Sequence, residues 1–174
     1  MNRRLFSTIA LITFLGALPL VFNSCTSLEA SASMTKRGGS KGGGRVNHLV
    51  LRDSNKRNTR VVIDISKQKA YLLVNGKIGA TSPVSTARAG KRTPRGTFSI
   101  SQKVRSGKIS TIYNVEMPYW MRLSGTPFGM HAGYLPGYPA SAGCIRMPAG
   151  MARLFYDNTS YGTRVNIYSS WSGN

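Results

Sequence analysis

Val61-Val62-Ile63-Asp64-Ile65 and Ala70-Tyr71-Leu72-Leu73-Val74-Asn75-Gly76-Lys77-Ile78-Gly79-Ala80 decide the class of the fold. The first is a β-branched run closed by the polar Ser66-Lys67-Gln68-Lys69. Such side chains are stiff in a helix and pack well on a pleated surface. In the second, Asn75-Gly76 stands between two apolar runs, and both residues tolerate the positive φ of a type I′ hairpin turn. Downstream, Thr93-Pro94-Arg95-Gly96 reads as a turn into an alternating strand over 97–101, and residues 109–115 and 120–123 read as shorter strands. Pro148 followed by Met151, Leu154 and Phe155 has helical spacing, with the proline suited to the first turn. Residues 162–168 close as a last strand. Short strands, frequent turns and one or two short helices predict a mainly β sandwich or barrel over residues 59–168, with 169–174 a tail.

Upstream of that body the texture differs. Met1-Asn-Arg-Arg4 is a cationic start, and residues 5–22 are almost continuously apolar, the pattern of a secretory signal over residues 1–24. Cys25 follows three residues after the apolar run, and Ala30-Ser-Ala32 offers an ordinary A-x-A cleavage site. Residues 25–58 carry Lys36, Arg37, Lys41, Arg45, Arg52, Lys56 and Arg57 against Glu29 and Asp53, with glycines between them, which reads as a flexible basic tether. The whole chain of 174 residues has a net charge of +19, or +17 once residues 1–24 are removed. Outside a cytoplasm, such a charge meets lipid headgroups and wall polymers, so no specific nucleic-acid partner is expected.

The same composition excludes several chemistries. The five carboxylates, Glu29, Asp53, Asp64, Glu116 and Asp157, are scattered along the chain, which argues against a paired-carboxylate glycosidase and against oxygen-ligand metal cages. Two cysteines, Cys25 and Cys144, are too few for a four-cysteine zinc site or a disulfide scaffold. There is no glycine-rich phosphate loop. Neither a metal nor another cofactor is expected.

Reactive side chains gather between Gly129 and Pro148, a segment rich in Gly, Pro and Ala that includes His131, Ser141, Gly143, Cys144 and Arg146. A lone cysteine in a small domain is more often a buried hydrophobe than a nucleophile. Here three features are expected to lower the thiol pKa: the His131 imidazole brought back by the intervening loop, the charge of Arg146, and the positive end of the helix beginning near Pro148. Gly143 lets backbone N–H groups approach a developing oxyanion.

Ser141-Ala-Gly-Cys144-Ile-Arg146, preceded by His131, resembles the motif of the L,D-transpeptidase catalytic domain (the YkuD fold). Thr93-Pro94-Arg95-Gly96-Thr97-Phe98 is similar to that family's Thr-Pro-x-Gly-x-Phe turn and strand, and the first hairpin matches in kind. The resemblance covers about residues 59–168 and implies a β-sandwich-like fold and peptidoglycan stem peptides as substrate. It implies Cys144 as nucleophile and His131 as general base, oriented by the backbone carbonyl of Ala132, with Ser141, Gly143 and Arg146 shaping the oxyanion pocket and a substrate carboxylate contact. One departure stands out: the family's second histidine, two residues before the cysteine, is Ala142. The acceptor is left open among a second stem, water (making an L,D-carboxypeptidase) and a lysine-bearing wall protein. An inactive wall- or polyanion-binding module is the rival reading. Cys25 resembles a lipobox cysteine, which implies a lipid-anchored envelope protein, against a soluble periplasmic form cleaved after Ala32.

Overall fold

The structure is a computed structural model and describes residues 44–173. The signal sequence, Cys25, the Ala30-Ser-Ala32 site and the tether up to residue 43 lie outside the described residues. The hairpin expected from Asn75-Gly76 forms: strands β3 (Lys69–Val74) and β4 (Lys77–Pro83) pair antiparallel around Asn75 and Gly76 at φ 51° and 77°. Strand β2 (Thr59–Asp64) lies on the other side of β3, its Val61 and Ile63 wholly buried.

The last strand in sequence, β9 (Arg164–Tyr168), inserts parallel to β2, which places the chain's end in the middle of the sheet. Strand β5 (Gly96–Val104) then joins two halves. Residues 96–99 pair with β9 and residues 100–104 with β6 (Trp120–Leu123), with a register irregularity between Ile100 and Gln102 that bends the strand. Strands β7 (Gly129–Ala132) and β8 (Ile145–Met147) complete the far edge, β7 antiparallel to β6 and β8 parallel to β7. The result is a nine-stranded curled half-barrel. Helix α2 (Ala149–Asp157) buries Met151, Ala152 and Phe155 in the same apolar cluster as Ile63, Leu72, Met130, Ile145 and Ile167.

Two expectations fail, both at edges. Residues 45–58 belong to the folded unit and not to the tether expected over 25–58. Strand β1 (Arg45–Val46) pairs with β4, and the short helix α1 (His48–Leu51) buries Leu51. Arg45, Arg52, Lys56 and Arg57 are exposed while Val46, Val50 and Leu51 pack on the core. Residues 109–115 form a loop rather than a strand. Ile109 makes a single bridge to Glu116, the Ser110 hydroxyl takes the N–H groups of Ile112 and Tyr113, and the chain reverses through Asn114 at φ 50°. Its β-branched side chains signal a strand, yet Ile112 and Val115 are exposed.

Candidate active site

Strands β7 and β8 bring the reactive residues together. In their parallel register Met130 stands opposite Ile145 and His131 opposite Arg146. Cys144 stands in the turn immediately before β8. His131, Cys144 and Arg146 line one groove of about 1280 Å³, together with Ser141 and Ala142. The thiol and the imidazole, thirteen residues apart in sequence, share this groove because β7 pairs with β8, and the Gly- and Pro-rich loop between them is the crossover.

His131 is 7% exposed, and its Nδ1 lies 2.8 Å from the carbonyl oxygen of Ala132. A carbonyl can only accept, so Nδ1 carries the proton and Nε2 of the neutral ring keeps its lone pair. The ring is backed by Trp120 at a centroid separation of 6.1 Å. Trp120 is itself buried and donates its indole N–H to Gln102 Oε1 at 3.1 Å. Burial pushes the imidazole below its usual pKa, opposed by the Ala132 hydrogen bond and assisted by the charge of Arg146.

The expected lowering of the Cys144 thiol does not hold in the resting structure. Burial pushes its pKa up, outweighing a backbone hydrogen bond from Gly129 and the positive charge of Arg146. The helix end contributes little, because β8 separates Cys144 from the start of α2 at Ala149 and the dipole acts only near the first turn. At neutral pH Cys144 therefore rests as a thiol and His131 as a neutral imidazole.

The turn that presents Cys144 is built around Ser141, which is 1% exposed. Its hydroxyl donates to the Cys144 carbonyl at 2.6 Å and accepts the Gly143 N–H at 3.1 Å. Gly143 has φ 145°, and a Cβ there would come within 2.1 Å of the Phe128 ring. Both backbone and space demand glycine. Its N–H is held by Ser141, so Gly143 serves to shape the turn.

Several positioning residues carried no catalytic signal in the sequence. Ser85 and Arg146 exchange two backbone hydrogen bonds at 3.0 Å, Arg88 N–H donates to Ser141 O at 2.9 Å, and the N–H groups of Ala140 and Ser141 share Thr86 O. Gln68 holds Thr86 from both sides, and the Thr93 hydroxyl takes Ala87 N–H while donating to Gly143 O at 3.0 Å. Thr93 sits in the turn that the sequence marked for its Pro and Gly, and no local pattern marks residues 85–88 as a clamp on a loop more than fifty residues away. Among the aromatic side chains near the site, Tyr113, Trp120 and Tyr134 line the groove, whereas Tyr119 packs edge-on against Tyr156 at 5.8 Å and Tyr138 is exposed outside the groove lining. Among the described residues, no three His, Cys, Asp or Glu side chains gather as a metal site would require.

The L,D-transpeptidase catalytic domain model (YkuD) matches residues 58–167, and the chain belongs to this family. Its fold is similar to that of an L,D-transpeptidase from Stackebrandtia nassauensis, at 23% identity over 70% of this chain and 60% of that one, with a TM-score of 0.60. A Mycobacterium tuberculosis L,D-transpeptidase carrying a faropenem-derived adduct is 20% identical over 63% of this chain and 60% of that one, with a TM-score of 0.58. An Enterococcus faecium L,D-transpeptidase solved as a cysteine-to-serine variant is 21% identical over 65% of this chain and 50% of that one, with a TM-score of 0.57. The chain therefore spans less than two thirds of each of these, and at such identities the likeness is one of fold. A search of curated proteins finds no match.

Proposed function

We propose that the protein is a peptidoglycan L,D-transpeptidase in which Cys144 is the nucleophile and His131 the proton carrier. The observation that supports this is the pairing of β7 with β8, beside which Cys144 and an imidazole of fixed tautomer line one groove. Because both groups rest neutral, the thiol proton moves to Nε2 of His131 as the sulfur attacks the carbonyl carbon of the L-to-D amide after the third stem residue. The Cys144 N–H is assigned to the oxyanion, since the Gly143 N–H is engaged by Ser141. Collapse breaks the amide C–N bond, and the leaving D-amino acid takes its nitrogen proton from the His131 imidazolium. A thioester remains on Cys144. An acceptor amine, from a second stem or from a wall protein's lysine, gives a proton to Nε2 and displaces the thiolate, restoring the thiol. Water in the same position makes tripeptide, the L,D-carboxypeptidase outcome. Lipidation at Cys25 and a place in the cell envelope complete the proposal.

Ala142 supports no proton transfer, and none of the steps above needs a second histidine. The test is product analysis: residues 33–174 incubated with disaccharide-tetrapeptides, with Cys144→Ala as control. A dimer lighter than two donors by one terminal amino acid is the expected product. Absence of turnover, on intact sacculi as well, would return the protein to an inactive wall-binding module.

A further inference from the structure

The chain has 24 lysines and arginines against five carboxylates, and part of the unanswered charge collects in one place. The groove holding Cys144 and His131 is lined by seven lysine or arginine side chains and a single carboxylate, Glu116. Glu116 takes the N–H of Gly107 at 2.7 Å, closing its own loop. The ion pairs among the described residues use Arg52, Lys67, Arg105 and Arg153, none of which lines the groove. Two of the groove's arginines converge on one ring. Arg88 Nη1 donates to the Tyr113 hydroxyl at 2.7 Å, and the Arg146 guanidinium stands 5.9 Å from the centroid of the same ring. Their backbones are pinned by Ser141 and Ser85 to the turn that presents the thiol. Guanidinium forks match carboxylates, and a groove lined by one sign of charge concentrates ligands of the other.

We propose that Arg88 is a specificity residue of the site: with Arg146, across Tyr113, it forms a subsite for a free carboxylate of the stem peptide, so that stems with unamidated carboxylates are selected over amidated ones. This rests on the function proposed above. The carboxylate belongs either to the second stem residue or to the side chain of the third, and donors amidated singly at each position separate the two.

The experiment compares kcat/KM for a donor with both carboxylates free, each singly amidated donor and the doubly amidated donor, in the wild type, Arg88→Gln and Arg88→Lys. A charge-assisted, two-point contact predicts a preference for the free donor of about tenfold or more in the wild type. Arg88→Gln collapses that ratio towards one, the free donor losing far more rate than the amidated one, and Arg88→Lys keeps part of it. Added salt narrows the wild-type ratio. Equal rates on free and amidated donors, or a preference that survives Arg88→Gln, overturn the proposal. Failure of the function itself looks different, because no donor is then consumed. In that event, binding of the same fluorescently labelled peptides to Cys144→Ala reads the subsite alone: tighter binding of the free peptide upholds it and equal binding overturns it.

Discussion

His131 Nδ1 and the carbonyl oxygen of Ala132 are 2.8 Å apart, so the residue that follows the histidine fixes which of its nitrogens is bare. That contact leaves Nε2 with its lone pair, as the proposed base requires. It also explains why an alanine suffices at position 132: only the carbonyl is used. Replacing His131 by Ala is expected to lower kcat by at least about a hundredfold, the contribution of one positioned general acid–base. Steady-state turnover checks this, with a thermal melt to show that the fold survives.

The two pKa directions set the pH profile. His131 is neutral above its own lowered pKa, so the acid limb of kcat/KM should fall below the unperturbed 6.5 and activity should persist into mildly acidic buffer. Cys144 is pushed above its usual value, so alkylation by iodoacetamide in the free enzyme should be slow at neutrality and rise with pH beyond 9.0. Rapid labelling at pH 7 would mean a preformed thiolate and would contradict the base-assisted attack.

Ser141→Ala removes the hydroxyl that ties Gly143 N–H to Cys144 O across the turn. Loss of a buried two-way hydrogen bond predicts a stability cost of about 1–3 kcal/mol. The larger effect is expected on kcat, about 10- to 100-fold, with KM little changed, because the turn aims the thiol rather than holding the substrate. Denaturant unfolding and steady-state kinetics separate the two.

Gly143→Ala meets both a backbone penalty at φ 145° and the Phe128 ring at 2.1 Å. Strain in such a region costs about 1–3 kcal/mol before any clash is counted. Phe128→Ala in the same chain relieves the clash alone, so the double variant should regain part of the melting temperature and little of the activity.

Far from the groove, Asp64 is wholly buried and takes hydrogen bonds from Ser66 Oγ, Lys67 N–H and Trp171 N–H. Burial alone would raise its pKa, yet these bonds and the Lys67 ammonium bring it below 3.8. A carboxyl lowered by folding adds stability that is present above its unfolded pKa and lost as pH falls through the folded value. Asp64→Ala is therefore expected to cost about 3 kcal/mol at pH 7, from the loss of charge-assisted bonds, and to flatten the acid side of the stability curve. Urea unfolding between pH 2 and 7 tests the sign.

The hairpin, the Trp120 strand, α2 and the closing strand were legible because each carries its own signal: β-branched alternation, Asn-Gly, or apolar spacing after a proline. Cys144 and His131 could be picked out as candidates because a thiol and an imidazole occur in one segment of Gly, Pro and Ala, residue types that rarely fill a core, and both line the groove. Strands β7 and β8 were not, since Gly129–Ala132 and Ile145–Met147 are too short for periodicity and form only by pairing with each other and with β6. The clamp of Ser85, Thr86 and Arg88 on residues 140–146 is a tertiary contact with no local mark. Charge misled at residues 45–58, where a few apolar side chains outweigh the flanking cations in deciding what packs. The sign of the thiol's shift was also beyond reach, because it depends on burial, and sequence spacing reports neighbours rather than depth.

The most direct test of Cys144 as the nucleophile is to mix the protein with excess disaccharide-tetrapeptide, quench in acid within the first turnovers, and map the mass increase by peptide. The prediction is a disaccharide-tripeptide acyl group on the peptide containing Cys144, absent in Cys144→Ala and accumulating far more slowly in His131→Ala. An acyl group on any other residue, or full turnover by Cys144→Ala, would contradict it.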